Sequence, residues 1–144
     1  MNGPSNHTPQ KRWGQNFLQD RRAIDHIAHA IDPEPGAIVL EIGPGKGALT
    51  AALLDRGFSV MALEIDADLA AWLRSKFEGR NLEVVQVDAV EAPLPPGAFH
   101  AFGNLPYNAA NPIIARIVRH PGFLSAAFMV QKEVAERYTS PPGR

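Results

Sequence analysis

The chain has no cysteine, which excludes disulfides, Cys-ligated zinc, iron–sulfur clusters and thiol nucleophiles together. It has no excess of one charge either. Fourteen Lys+Arg stand against 15 Asp+Glu, for a formal net charge of −1. No global basic field therefore advertises a nucleic-acid partner, and any such contact must come from a local patch. No apolar run approaches the roughly 18–20 residues of a membrane helix, and residues 1–18 lack the apolar core of a secretion signal. What remains is 45% hydrophobic and 20% charged residues, a globular rather than disordered balance. A chain of 144 residues makes about one domain and buries roughly two-thirds of its unfolded surface. A soluble, cytoplasmic single domain is expected, as a monomer and without a membrane partner.

Residues 1–13 carry Gly3, Pro4, Pro9 and the basic pair Lys11-Arg12, and read as a flexible arm ahead of a domain at 14–144. Asp20 predicts an N-cap for a helix through Ala30, with Ile24, Ile27, Ala28 and Ile31 on one face. Four apolar runs follow at 37–42, 59–65, 82–87 and 99–105, with a fifth at 126–130 leading toward residues 131–138. Ala37-Ile38-Val39-Leu40 shows no polar alternation, as in a strand buried on both faces. Helical patterns lie between the runs at 48–55 and 68–77, and Asn111-Pro112 offers an N-cap and an N1 proline for a helix through Val118. This strand–helix alternation implies an α/β fold with a parallel, doubly wound sheet. Five strands and a loop-like ending, Ser140-Pro141-Pro142-Gly143-Arg144, suggest a sheet short of its last strands.

Glu41-Ile42-Gly43-Pro44-Gly45-Lys46-Gly47-Ala48 falls where the first strand turns into a helix. Glycines there let a ligand approach the backbone, and the helix N-terminus favours a carboxylate or phosphate. Glu64 follows Gly43 by twenty-one residues, at the end of the next strand, where an acid can hold both hydroxyls of a ribose. Asp88, at the end of the third strand, can accept from a nucleobase amine. The pattern predicts an adenosine-containing cofactor but also satisfies a relaxed dinucleotide fingerprint, so a nicotinamide oxidoreductase stays open. Gly103-Asn104-Leu105-Pro106-Tyr107 follows the fourth strand. A side-chain amide, a backbone carbonyl and an aromatic face suit a planar ring bearing an exocyclic NH₂. His26 and His29 share a helix face with no third ligand near in sequence, so no metal site is expected.

Gln15-Asn16-Phe17-Leu18, residues 41–50, Asp88-Ala89, Asn104-Leu105-Pro106-Tyr107 and residues 129–137 occur in that order. Together they resemble the small-subunit ribosomal RNA adenine dimethyltransferase family. The resemblance implies a Rossmann-like methyltransferase fold followed by a small helical domain, S-adenosylmethionine as cofactor, and small-subunit rRNA or a pre-ribosomal small subunit as partner. It assigns Asn16, Leu18, Gly43 and Gly45 to the cofactor's methionine end, Glu64 to its ribose, and Asp88 with Ala89 to its adenine. Asn104, Leu105, Pro106 and Tyr107 would receive the target adenosine, with Asn104 also beside the cofactor. The sequence departs from the family at Ala109-Ala110-Asn111, where Ile-Ser-Thr is usual, and lacks the last sheet strands and the helical domain. Lys11, Arg12, Arg21, Arg22, Arg116 and Arg119 are the candidate RNA contacts. Rival readings are a large-subunit rRNA methyltransferase conferring antibiotic resistance and a non-catalytic RNA-binding assembly module.

Overall fold

A computed structural model describes residues 20–105 and 107–130, and for Tyr107 the backbone only. Helix α1 (Arg21–Ala28) is followed by β1 (Ile38–Ile42), α2 (Ala48–Asp55), β2 (Ser59–Leu63), α3 (Ala67–Lys76), β3 (Leu82–Val85), β4 (Phe99–Leu105), α4 (Tyr107–Val118) and β5 (Phe123–Val130). The strands form one all-parallel sheet in the order β3-β2-β1-β4-β5. Strand order reverses between β1 and β4, and in open sheets of this kind ligands bind in the crevice beyond the carboxyl ends at that point. The chain therefore has a Rossmann-like α/β fold.

Two apolar layers sandwich the sheet. On one face Val39, Val60 and Phe102 pack against Ile27 and Ala28 of α1, Leu49 and Leu53 of α2, and Ala70 and Leu73 of α3. On the other face Leu40, Ile42, Ala101 and Leu105 pack against Ala110, Ile113 and Ile117 of α4. Val39, Leu40, Ala101 and Phe102 are wholly buried, which is why β1 and β4 read as mostly apolar runs without polar alternation. Arg56, just past α2, donates to the carbonyls of Ala28 and Ile31 and pairs with Asp32, tying the end of α1 to α2.

Several expected boundaries move. Asp20 does cap α1, its Oδ1 accepting from the Arg22 and Ala23 amides at 3.0 and 3.5 Å, but the helix ends at Ala28 rather than Ala30. The N-cap of α3 is Asp66, whose carboxylate accepts from Asp68 and Leu69. Strands β2 and β3 are each two residues shorter than their apolar runs, leaving Ile65 60% exposed. The largest difference is α4, which starts at Tyr107, so Asn111 and Pro112 lie inside the helix and do not cap it. Burying Ala110 and Ile113 on one face requires the extra turn, and that apolar contact outweighs the hydrogen bond the proline cannot make. Strand β5 begins three residues before its apolar run, because Ser125 pairs with His100 across the ladder.

Candidate active site

The carboxyl ends of β1, β2 and β4 converge on the switch point. Ile42 ends β1, and the next turns carry Gly43, Gly45 and Gly47 at φ of +67°, +58° and +90°. Gly43 has a second constraint. A Cβ there would sit 2.7 Å from the backbone oxygen of Asn104, so only a hydrogen lets the loop lie this close to β4. Lys76 of α3 donates to the carbonyl of Lys46 at 3.1 Å and lies over the Trp72 ring, bracing the loop from outside.

Glu64 immediately follows β2 and is 7% exposed. Its amide donates to the carbonyl of Val85, its carbonyl accepts from Val87, and its Oε2 accepts from the Asp66 amide at 2.9 Å. That ladder beyond the strand ends brings Glu64 alongside the segment leading to Asp88. Asp88 is exposed, and its Oδ1 accepts from the Val90 amide at 2.9 Å. The carbonyl of Ala89 accepts from Arg116 at 3.3 Å, so α4 supports this loop.

Asn104 is the penultimate residue of β4 and 5% exposed, and its Oδ1 is buried without a hydrogen-bond partner. Leaving such an atom unmet costs about 1–3 kcal/mol. Leu105 is wholly buried beside it, and its side chain faces the α4 layer.

Sequence reasoning gave no role to Glu41, although it quoted the residue within the glycine motif. Glu41 is 1% exposed in β1, its Oε1 accepts from the Thr50 hydroxyl at 2.6 Å, and its Oε2 has no partner. Burial, and secondarily the Glu64 carboxylate, push its pKa up from 4.5 to about 8 against the opposing pull of the Thr50 hydrogen bond. The available signal was a lone acid in an otherwise apolar strand.

The structure thus brings Gly43, Gly45, Glu64 and Asn104 to one end of the sheet, with Asp88 and Ala89 on the next loop. Arg21, Arg22 and Arg119 are exposed, whereas Arg116 is half-buried and engaged with Ala89. Lys11, Arg12, Asn16, Leu18 and Pro106 lie outside the described residues, as does the side chain of Tyr107. No three His, Asp or Glu side chains cluster in metal-binding fashion among the described residues.

A parallel sheet with a glycine turn after β1, an acid after β2 and an unsatisfied amide at the end of β4 defines a nucleoside-cofactor domain of the Rossmann-like class. The family model for ribosomal RNA adenine dimethylases matches residues 6–144, and the chain belongs to that family. Ribosomal RNA small subunit methyltransferase A of Pseudomonas putida is 43% identical over 99% of this chain and 56% of its own length. The protein of the same name from Verminephrobacter eiseniae is 40% identical over 95% of this chain and 52% of its own. Among solved structures, the 23S rRNA methyltransferase ErmE superposes with a TM-score of 0.76 at 40% identity, covering 90% of this chain and 53% of that one. A dimethyladenosine transferase from Plasmodium falciparum gives 0.72 at 34% identity, covering 89% and 48%. The chain spans about half the length of the curated relatives it matches.

The family's cofactor is S-adenosylmethionine. The residues present fit it: the glycine turn lies against β4 with no Cβ at Gly43 to hold it off, and Asn104 Oδ1, an unmet acceptor, and the partnerless Glu41 Oε2 lie at the same end of the sheet.

Proposed function

We propose that this chain forms the cofactor-binding and target-base part of an enzyme that methylates, twice, the exocyclic amine of adenosines in small-subunit ribosomal RNA. The observation that carries the reading is the buried, partnerless Oδ1 of Asn104, beside the glycine turn at the switch point. An acceptor held there at a desolvation cost suits a donor N–H that arrives with substrate. Bound S-adenosylmethionine supplies the electrophilic methyl group. Gly43 and Gly45 admit its methionine end, Glu64 accepts from the ribose hydroxyls, and Asp88 with the Ala89 backbone meets its adenine. Asn16 and Leu18 complete the methionine side.

The amine of adenine is a poor nucleophile because its lone pair is delocalised into the ring. Asn104 Oδ1 and a carbonyl of the Leu105–Pro106 turn accept its two protons, which favours a pyramidal nitrogen and localises the pair. Orientation of this kind is worth ~7–11 kcal/mol, and the methylated nitrogen is acidic enough to need no strong base. Extruding the base costs a few kcal/mol, of which stacking on Tyr107 returns about 1–3. Arg21 and Arg22, with Lys11 and Arg12 of the arm at 1–13, supply a local basic surface for RNA, and Arg116 acts from beneath the Asp88 loop. Arg119, just past α4 next to His120, falls at the amino end of β4, away from Asn104. The setting is a monomer in the cytoplasm acting on rRNA or a pre-ribosomal small subunit. Among the described residues no helix is long and apolar enough to cross a membrane.

The test is a thermal melt with saturating S-adenosylmethionine, with reduced nicotinamide cofactor as control, followed by methyl transfer to unmodified small subunits. Ligand at 100 times its Kd adds about 2.7 kcal/mol, or roughly 5–10 °C at this size. A shift with the nicotinamide alone, or none with S-adenosylmethionine, overturns the reading. The likeness to ErmE favours a second one, in which the target lies in large-subunit rRNA. Transfer to large but not small subunits would select it.

A further inference from the structure

Glu41 and Glu64 end up on adjacent parallel strands, where Glu41 pairs in register with Ala62, two residues before Glu64, so both side chains lie on one face. Glu41 is the deeper, and its two oxygens are treated differently. Thr50 donates to Oε1, while Oε2 is enclosed and receives nothing. A carboxylate in that position would be an uncompensated buried charge next to a second one, whereas a carboxylic acid keeps the Thr50 bond and holds its proton on the other oxygen. Among the described residues no cation of the packed elements relieves it. Helix α2 contributes Thr50, and its own Asp55 is engaged by Arg80. Lys76 of α3 is turned to the Lys46 carbonyl, and Arg74 donates to the carbonyl of Val84. His100 of β4 lies near the opposite end of the sheet against Ser125 and Glu34. The ionisable residues of α1, Arg21, Arg22, Asp25 and His26, are exposed.

We propose that Glu41 is a proton-linked residue: it holds a proton in the ligand-free protein and releases it as the cationic cofactor binds at the glycine loop. This rests on the cofactor being S-adenosylmethionine, whose sulfonium and ammonium outweigh its one carboxylate. A positive charge brought to the carboxyl ends of β1 and β4 favours the ionised form of a nearby buried acid. The proton leaves from Glu41 Oε2 to solvent, no covalent bond to the cofactor forms or breaks, and the arriving charge compensates the carboxylate left behind. Affinity must then rise with pH until the ligand-free protein also loses the proton. In ordinary methyltransferase titrations this would pass for a property of the substrate.

Isothermal titration of the full chain with S-adenosylmethionine, in buffers of differing ionisation enthalpy, counts the protons exchanged. Release of about one proton per cofactor at pH 7, with affinity rising up to about tenfold per pH unit until the release fades near pH 9, is expected. Glu41→Gln should bind with no proton release and a flat pH profile. Binding without release, or with uptake, by the unaltered chain overturns the proposal and leaves the cofactor reading standing. Release that persists in Glu41→Gln also overturns it, since the proton would then belong to another group. Absence of any binding heat at any pH, in a chain that melts cooperatively, removes the cofactor reading and the proposal together.

Discussion

The amino ends of β4 and β5 carry a polar side-chain pair between neighbouring strands, and the carboxyl ends of β1 and β4 carry buried carboxyl and amide oxygens that no neighbour meets. His100 Nδ1 and Ser125 Oγ lie 2.7 Å apart, and His100 Nε2 is 3.4 Å from a Glu34 carboxylate oxygen, within reach of an ion pair when the ring is charged. Asn104 Oδ1 of β4 and Glu41 Oε2 of β1, toward the carboxyl ends, are as well buried and have no hydrogen-bond partner; His100 Nε2 makes no hydrogen bond either, but has the Glu34 carboxylate within ion-pair reach. The strands between are indifferent to the distinction, with Val39, Leu40, Ala101 and Phe102 wholly buried. One end spends its polar groups on stability, and the other holds them for a ligand. A substitution should therefore act on function at one end and on folding at the other.

Asn104→Ala offers the largest break. It removes the acceptor that positions the amine, so methyl transfer to rRNA should fall by about 100-fold or more while cofactor affinity stays within a few-fold. Single-turnover assays paired with equilibrium binding read this directly. Turnover within threefold of the unaltered protein would show that the buried amide is structural.

Gly43→Ala comes next, because the new Cβ meets the Asn104 oxygen at 2.7 Å and the residue must hold φ at +67°. Each strain costs of order 1–3 kcal/mol, and opening the β1–β4 contact spoils the loop on which the cofactor lies. Cofactor affinity should drop more than tenfold by titration, with a lower melting temperature. Loss of melting temperature with unchanged affinity would separate the loop from the site.

Much of this layout was legible in the sequence, for physical reasons. Strands β1 and β4 are buried on both faces, so their residues read as mostly apolar runs, and Asp20 announced the start of α1 because capping is local chemistry. Asn111-Pro112 misled for the converse reason: it is a good local start signal, overruled by the burial of Ala110 against the sheet. Gly43, Glu64 and Asn104 could be named as a set because all three follow or end strands at intervals a doubly wound sheet imposes. The protonation of Glu41 could not. It depends on the depth of β1 beneath the loop and on Glu64 coming alongside from the next strand, and neither is written within a few residues of position 41.

That buried acid predicts a pH dependence of folding that sharpens the contrast further. In the unfolded chain Glu41 ionises through pH 4.5, but in the folded chain it keeps its proton to about 8. Its contribution is fully present below pH 4.5, declines at up to about 1.4 kcal/mol per pH unit as only the unfolded state loses the proton, and is flat again above pH 8. Urea unfolding at pH 5, 6.5 and 8 should show the unaltered chain losing ground against Glu41→Gln over that interval. A constant gap between the two would mean the acid is ionised in both states.

Ser125→Ala gives the smallest effect and the cleanest control. The hydroxyl lies at the amino end, its bond to His100 is part-buried, and the removed group is small, so about 0.5–1.5 kcal/mol of stability is at stake. Cofactor affinity and methyl transfer should be unchanged, because the pair sits near the end of β4 remote from Asn104 and touches neither the glycine loop nor the Asp88 segment. A change of more than threefold in affinity, with stability unaltered, would mean that the two ends of β4 are coupled through the strand and that the division of labour drawn between them is wrong.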